Sequence, residues 1–369
     1  MKKILSIVWY KVLPPEYGGQ KGIAHFNGYL GVKVSLTCLC SRNNTADRPL
    51  NYRLSNELPV SRFQFWNPAV RKRVLRYIKE NSYSHIIIEH PYHAWLGKYK
   101  KKYGFRFIVH AHNIEHLRMK ARGKCWWRLI KRTERCAFRL ADHILFKTET
   151  DKEKAINIFD INPEKCLVVP YGCNETEQPA LTGNFRALIK KRHSILPEEK
   201  VILFAGTLDY GPNAKAKEII LKHIIPLLQK KQFRFRFILC GALPVKEISG
   251  LNAMSCFTAT GFVPSLPEYL QAADVFINPV TTGSGVQTKN IDAIAGGCNV
   301  VTTAFASAGL PSYLVNKKLF VSPDNDWDHF TDNIIKASSL NGPVPGQFYK
   351  SFNWSAIIEK LLPAIAPED

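Results

Sequence analysis

Short apolar runs of strand length, each ending in polar residues and followed by a helical pattern, recur twice along this chain of 369 residues. In the first series "KKILSIVWY", "VKVSLTCLC", "HIIIEHP", "FRFIVHAH", "HILFKTET" and "CLVVPYGCN" read as strands. A glycine-opened helix over "GGQKGIAHFNGYLG" and an amphipathic one over "PAVRKRVLRYIKENSY" separate the early members. Strands that are apolar throughout, rather than alternating, are buried on both faces, and helices between them point to parallel sheets. After residues 176–197, which lack strand character, the rhythm resumes. "KVILFAGTL", "FRFRFILCGAL", "SCFTATGFV", "DVFINPV", "CNVVTTAFA" and "KLFVSP" are its strands, one helix runs over "NAKAKEIILKHIIPLLQKK", and another spans about Thr288 to Ala295. The expectation is an α/β protein of two doubly wound, Rossmann-like domains. The first spans residues 1–180, a linker 181–197, the second 198–345, and a helical tail 346–369 able to cross back to the first domain. In such sheets ligands bind beyond the carboxyl ends of the strands, and two facing domains make a cleft.

Length and composition agree. The chain is long for one domain, and 46% hydrophobic with 22% charged residues suits packed cores rather than disorder. No apolar run reaches the roughly 18 residues of a spanning helix. The start "MKKILSIVWYKVLPPEYGG" reads as a buried strand rather than a signal peptide. Nine cysteines without a CxxC pair suggest reduced thiols in a cytoplasmic protein, not a disulfide framework or structural zinc. Charge is lopsided: residues 1–175 carry 32 Lys/Arg against 14 Asp/Glu, so +18 of the total +21 lies in the first half. That half is expected to face something anionic.

The stretch "TTGSGVQTKNIDAIAGG" follows the strand "DVFINPV". Gly283, Ser284 and Gly285 let backbone N–H groups approach an anion, and Gln287 and Thr288 lead into a helix N-terminus. Lys289 can add a point charge to a phosphate. Asp292, on the lysine's face, suits sugar hydroxyls better than phosphates. The alternative is a plain turn with a Lys289–Asp292 surface ion pair, and this stretch alone does not choose between them. "FAGTLDYGPNAKA" offers Gly206, Thr207 and the helix start at Asn213, although Asn213 also suits a turn or cap. Gly18 and Gly19 in "PPEYGGQKG" permit close backbone contact, without the GxGxxG spacing of a dinucleotide site.

In combination, "PEYGG", "HAHNIEH", "FAGTLDYGPN", "GFVPSLPEYLQAADVFINP" and "GSGVQTKNIDAIAGGCNVVTT" resemble the retaining GT-B glycosyltransferases of family four. The resemblance implies a hexosyltransferase-type enzyme working without metal or other cofactor. It would move a sugar from a nucleotide-sugar donor to an acceptor hydroxyl, on a glycan or lipid-linked precursor of the kind used in polysaccharide biosynthesis. It also implies that Gly19 contacts donor phosphate, that Phe262 and Val263 border the base, that Lys289 faces the diphosphate and that Asp292 takes the ribose. Two departures stand out. Ser284 replaces the glutamate that usually holds the donor sugar, and "TLDYGPNAKA" stands where the family carries an Arg and Lys pair.

"VHAHNIEH" has a second reading. His110, His112 and His116 have spacings that metal sites use, and would then serve a metal-dependent hydrolase. The glycosyltransferase reading takes one of them, His112 with His110 as runner-up, to the donor's sugar–phosphate bond. Lastly, nine Lys/Arg against the single acid Glu134 lie between Arg118 and Arg139. On a helix Trp126, Leu129, Ile130, Thr133, Ala137 and Leu140 form a stripe, with Arg128, Lys131, Arg132 and Arg135 elsewhere. With Arg118, Lys120 and Trp127, and with "KYKKKYG" adding charge, this predicts peripheral binding to the inner face of an anionic membrane. A basic nucleic-acid-binding protein is the remaining class; no zinc-finger, RRM or KH pattern supports it, and no nucleic-acid partner is expected.

Overall fold

The computed structural model describes residues 2–61, 63–179, 185–283 and 285–367. They form two compact units: residues up to Gly172 together with those from Trp354 onward, and the stretch Cys173–Asn353 between them. The crossings lie at residues 172–173 and 353–354, outside the expected 181–197 and at the start of the tail helix.

The first unit is a seven-stranded sheet in the order β3-β2-β1-β4-β5-β6-β7. Its strands are β1 (Lys3–Val8), β2 (Ser35–Ser41), β3 (Arg53–Leu58), β4 (His85–Glu89), β5 (Arg106–Ala111), β6 (His143–Phe146) and β7 (Cys166–Val168). All pairings are parallel. β4, "HIIIE", is buried at every position, as an apolar strand covered on both faces must be. β3, "RLSNEL", carries no strand signal in the sequence, because its mostly polar residues suit the sheet edge it occupies. The helix Pro68–Asn81 shows how local sequence sets an element. Proline occupies the first turn, the Asn67 side chain accepts from Ala69 N–H at 2.9 Å, and Val70, Val74, Tyr77 and Ile78 make the buried stripe. The tail helix Trp354–Ile365 belongs to this unit, burying Trp354 with its ring parallel to His25 at 6.2 Å.

The second unit is a six-stranded parallel sheet in the order β10-β9-β8-β11-β12-β13. The strands are β8 (Lys200–Ala205), β9 (Phe235–Cys240), β10 (Phe257–Gly261), β11 (Val275–Asn278), β12 (Asn299–Thr303) and β13 (Leu319–Ser322). The helix expected after β8 begins at Gly211 and is broken. Gly211–Ile219 and Ile225–Lys230 flank a wide π-turn at Ile220–Ile224, next to Pro226, which has no N–H to donate to the preceding turn. The order in which strands are laid down reverses between β1 and β4 in one sheet and between β8 and β11 in the other, with all strands still parallel. Those are the switch points where open α/β sheets bind ligands.

Candidate functional site

At the carboxyl end of the second sheet, Gly206 follows β8. A Cβ there would meet Asn213 Nδ2 at 2.8 Å and Lys289 Nζ at 3.2 Å, so any side chain would displace this amide and amine. Gly241, after β9, is tighter still, because its Cβ would strike the Gly206 carbonyl oxygen. Asn213 is buried in the first turn of the helix Gly211–Ile219 but does not cap it; the cap position is Tyr210. Its carboxamide is instead a clamp. Nδ2 donates to the Thr207 carbonyl at 2.9 Å, while Oδ1 accepts from Lys289 Nζ at 2.7 Å.

Lys289 lies in the first turn of the helix Thr288–Ala295. Its ammonium sits 4.4 Å from the centroid of the Phe204 ring. The residue is partly exposed, but its charged end is packed against Phe204, Asn213 and Gly206. Burial alone lowers its pKa to about 7; no acidic group contributes to the shift. The plain-turn reading, with Lys289 paired to Asp292, therefore does not describe the lysine, which donates to an amide. Asp292 follows one turn later, partly exposed, and its charge adds to the burial that raises the Cys173 thiol to about 12.

Gln287 stands at the cap position without a side-chain hydrogen bond to the helix. Gly285 has φ +77, and a Cβ on Gly283 would lie 3.6 Å from Pro212 Cγ, so this loop passes over the start of the helix Gly211–Ile219. Ser284 lies outside the described residues. Phe262 is 79% exposed just after β10, and Val263 beside it is partly buried. The sequence reading missed what anchors the lysine's helix. Asn278 Nδ2 donates to Asn290 Oδ1 at 2.9 Å, and Asn290 Nδ2 donates to the Ala306 carbonyl at 2.8 Å, all buried. Asparagines inside the apolar runs "VFINP" and "KNIDAIA" were the available signal.

The carboxyl end of the first sheet is built from titratable side chains. Gly18 and Gly19 open the helix after β1, and a Cβ on Gly19 would touch only the Tyr17 ring. His112, just past β5, places Nε2 2.6 Å from Glu89 Oε2, and His110 Nδ1 lies 2.9 Å from the same oxygen. The rings of His90, His112 and His110 pack in succession, tilted by 36° and 37°, with centroids 4.6 and 4.3 Å apart. Burial pushes His110 down to about 4 and His112 well below the usual histidine range, so both rings are neutral at pH 7. Burial opposes ionisation of Glu89 as well, but its histidine contacts hold the carboxyl below the usual range. His90 has φ 67 and ψ 161, a backbone region that costs a non-glycine residue about 1–3 kcal/mol. It is held there by His90 Nδ1 against Glu115 Oε1 at 3.1 Å and by its ring Nε2 against the Tyr10 hydroxyl at 3.2 Å. Neither Glu89 nor His90 was singled out from sequence.

The three-histidine metal set does not assemble. His116 points its Nδ1 at Glu134 Oε2 (2.6 Å), and Glu134 also accepts the backbone N–H groups of Glu115 and His116 at 2.6 and 3.1 Å. The lone acid of the basic stretch thus closes the open N-terminus of the helix Glu115–Ala121. The group that could converge on a cation, among the described residues, is Glu89, His110 and His112.

The basic helix runs from Trp127 to Leu140, and its buried stripe keeps Ile130 and Ala137 of the expected one but adds Glu134 and Phe138 in place of Trp126, Leu129, Thr133 and Leu140. Trp126 and Leu129 are 42% and 43% exposed. Arg118 is turned inward to the buried Glu115 at 2.8 Å, and Lys120 and Arg128 flank the Trp127 ring at 5.4 and 5.0 Å. Lys131 is partly buried, whereas Arg132 and Arg135 are exposed. A second apolar group was missed: Val60, Phe63 and Trp66 are exposed, with the Phe63 and Trp66 rings stacked at 5.6 Å. Phe65 and Ile130, which neighbour these two groups in the chain, share one small core with Tyr92 and Met119.

Two parallel sheets with alternating helices match the two Rossmann-like domains of the GT-B glycosyltransferase fold. Residues 28–177 match the family model described as Glycosyltransferase Family 4, and residues 199–339 match that of Glycosyl transferases group 1. The chain belongs to the family-four glycosyltransferases. Solved structures agree in fold. A sucrose-phosphate synthase from Thermosynechococcus elongatus superposes with TM-score 0.72 at 14% identity, covering 98% of this chain and 97% of its own. WaaG, a glycosyltransferase involved in lipopolysaccharide biosynthesis, gives 0.71 at 16% identity over 99% and 100%. Anabaena HepE, solved with UDP and glucose, gives 0.71 at 14% identity over the whole of both chains. No curated protein matches the sequence.

Proposed function

We propose that the protein transfers a hexosyl group from a uridine diphosphate sugar to an acceptor hydroxyl with retention of configuration. The single observation that carries this is Lys289, an enclosed amine with no carboxylate partner among the described residues, beside a helix start that its cap side chain leaves open and a glycine-lined turn. Such a site lacks only an anion. The diphosphate would lie against Lys289 and the backbone amides of 285–289, the ribose near Asp292 and the base near Phe262 and Val263. In the first unit the candidates for donor contact are the backbone groups of Gly18 and Gly19 at the helix start. Uridine is taken from HepE, whose structures hold UDP and UDP-glucose. As the bond from the sugar's C1 to phosphate oxygen breaks, Lys289 and the amides stabilise the departing charge without a resident metal or cofactor. The acceptor oxygen bonds C1 on the same face, and its proton passes to the leaving phosphate oxygen. His112 serves the sugar side of this reaction.

The reading is tested by thermal shift against UDP, UDP-sugars and the GDP, dTDP and CMP series. At a ligand concentration of about 100 Kd, stabilisation near 2.7 kcal/mol is expected from UDP compounds. Equal, negligible shifts from every nucleotide would remove it.

For the acceptor we infer a glycan precursor carried on lipid, met at an anionic cytoplasmic membrane face. No described helix is long and apolar enough to cross a membrane. What supports surface binding is exposed Trp126 and Leu129 beside Arg128, Arg132 and Arg135, together with exposed Val60, Phe63 and Trp66, the last of which packs edge-on against Phe65 of the small core that also holds Ile130. Sedimentation with anionic but not neutral vesicles, weakened by salt and by Trp126→Ala, is the expected result.

A further inference from the structure

Glu89 ends β4 and is fully buried, yet it is ionised among side chains from the ends of the two strands next in line, His110 and His112 from β5 and Lys147 from β6. Its backbone is fixed on both sides. Glu89 pairs with His110 in the β4–β5 register, and the next residue, His90, donates its N–H to the His110 carbonyl at 3.0 Å while held at its strained φ of 67°. The carboxylate has therefore little freedom to turn away from the rings it faces. Lys147, one residue beyond β6, is buried with its Nζ unbonded among the described residues. Burial lowers it to about 8, and the Glu89 charge opposes that fall, so lysine and carboxylate sustain each other through space.

A carboxylate oxygen only accepts hydrogen bonds. The His112 nitrogen 2.6 Å from Glu89 Oε2 must then carry a proton, and that nitrogen is Nε2. In a neutral imidazole the proton on Nε2 leaves Nδ1 with a bare lone pair. The rings of His110 and His90, 4.3 and 4.6 Å away by centroid and tilted by 37° and 36°, pack against it on either side and limit its rotation. We propose that Glu89 is a positioning residue that fixes His112 in the Nε2–H tautomer, so that Nδ1 accepts a hydrogen bond from a hydroxyl of the bound sugar. This rests on the reading of His112 as the sugar-side residue. It also sharpens it, because a bare nitrogen welcomes a hydroxyl and repels a carbonyl or phosphate oxygen, which bring no proton.

The test is nitrogen NMR of histidine-labelled full-length protein at pH 7, with His112→Asn to assign the signal. The His112 ring is expected as Nε2–H with unprotonated Nδ1. In Glu89→Gln the amide can donate as well as accept, so the tautomer ratio shifts. There kcat for sugar transfer should fall about tenfold or more while the donor KM changes less than about threefold. An Nδ1–H tautomer in the unaltered protein, a stoichiometric metal on these nitrogens, or a Glu89→Gln protein with unchanged tautomer and kcat would each overturn the proposal. If Glu89→Gln does not fold, the tautomer of the unaltered protein decides. Full transfer activity in His112→Asn would instead defeat the reading of His112, leaving the tautomer measurement to stand or fall separately.

Discussion

The carboxyl ends of the two sheets are built on opposite plans. In the first unit a carboxylate, three imidazoles packed ring against ring and a buried lysine lie together, with Glu115 and Arg118 paired beside them. Charges there meet countercharges or proton donors, and backbone strain at His90 is held by side-chain bonds. In the second unit the same position holds glycines, backbone amides and one ammonium bonded to a neutral amide. A site that already balances its charges can orient a neutral group such as a sugar hydroxyl. One that carries an unbalanced cation is prepared for an anion.

The sharpest way to break this contrast is Lys289→Met, which keeps the stem against Phe204 and removes the charge. Loss of a preorganised donor to a developing anion costs on the order of 100-fold or more in turnover. Stability should move the other way, and the sign follows from linkage. The folded pKa, about 7, lies below the ordinary lysine value of 10.5, so the folded state binds fewer protons between those pH values and stability rises with pH across them. Below pH 7 the cost of holding the charge is fully present. Lys289→Met should therefore melt higher than the unaltered protein at pH 6 and show a smaller gain at pH 9. Thermal melts at the two pH values check this.

Glu134→Ala probes the other plan. It strips the N-terminus of the helix Glu115–Ala121 and leaves His116 buried without its partner, so a loss of about 3 kcal/mol in urea unfolding is expected. A change below about 0.5 kcal/mol would mean that this network contributes no more than a surface contact. The mildest probe is Asn213→Asp, which puts a carboxylate where the neutral amide meets Lys289. Nucleotide affinity should drop about tenfold, because the cation is then satisfied internally and the new charge repels phosphate. Unchanged affinity in calorimetry would argue that the amide's neutrality is immaterial.

Which parts were legible in the sequence follows the same division. The fold was readable because fully apolar strand runs and amphipathic helices are local signals; β3 escaped because an edge strand has polar residues and no pattern of its own. In the second unit Gly206, Gly283, Gly285 and Lys289 could be read because a glycine turn followed by a helix is local too. Its anchor, Asn278 with Asn290, was less visible, since it spans β11 and the helix. The first unit's plan was largely hidden. Glu89 meets His112 across 23 residues, and Glu134 meets His116 across 18. Sequence showed three histidines in a row but not that two turn one way and the third another. It also assigned Arg118 to a surface patch, where the structure pairs it with buried Glu115.

The central claim, that Lys289 is kept ready for the donor's diphosphate, is tested most directly by counting protons. UDP binding would be measured by calorimetry at pH 8 in two buffers of different ionisation enthalpy. With a pKa of about 7 the free lysine is mostly neutral at that pH, and contact with the diphosphate restores its charge. The account predicts uptake of about one proton per UDP bound by the unaltered protein and none by Lys289→Met. Tight UDP binding with the same heat in both buffers would contradict it.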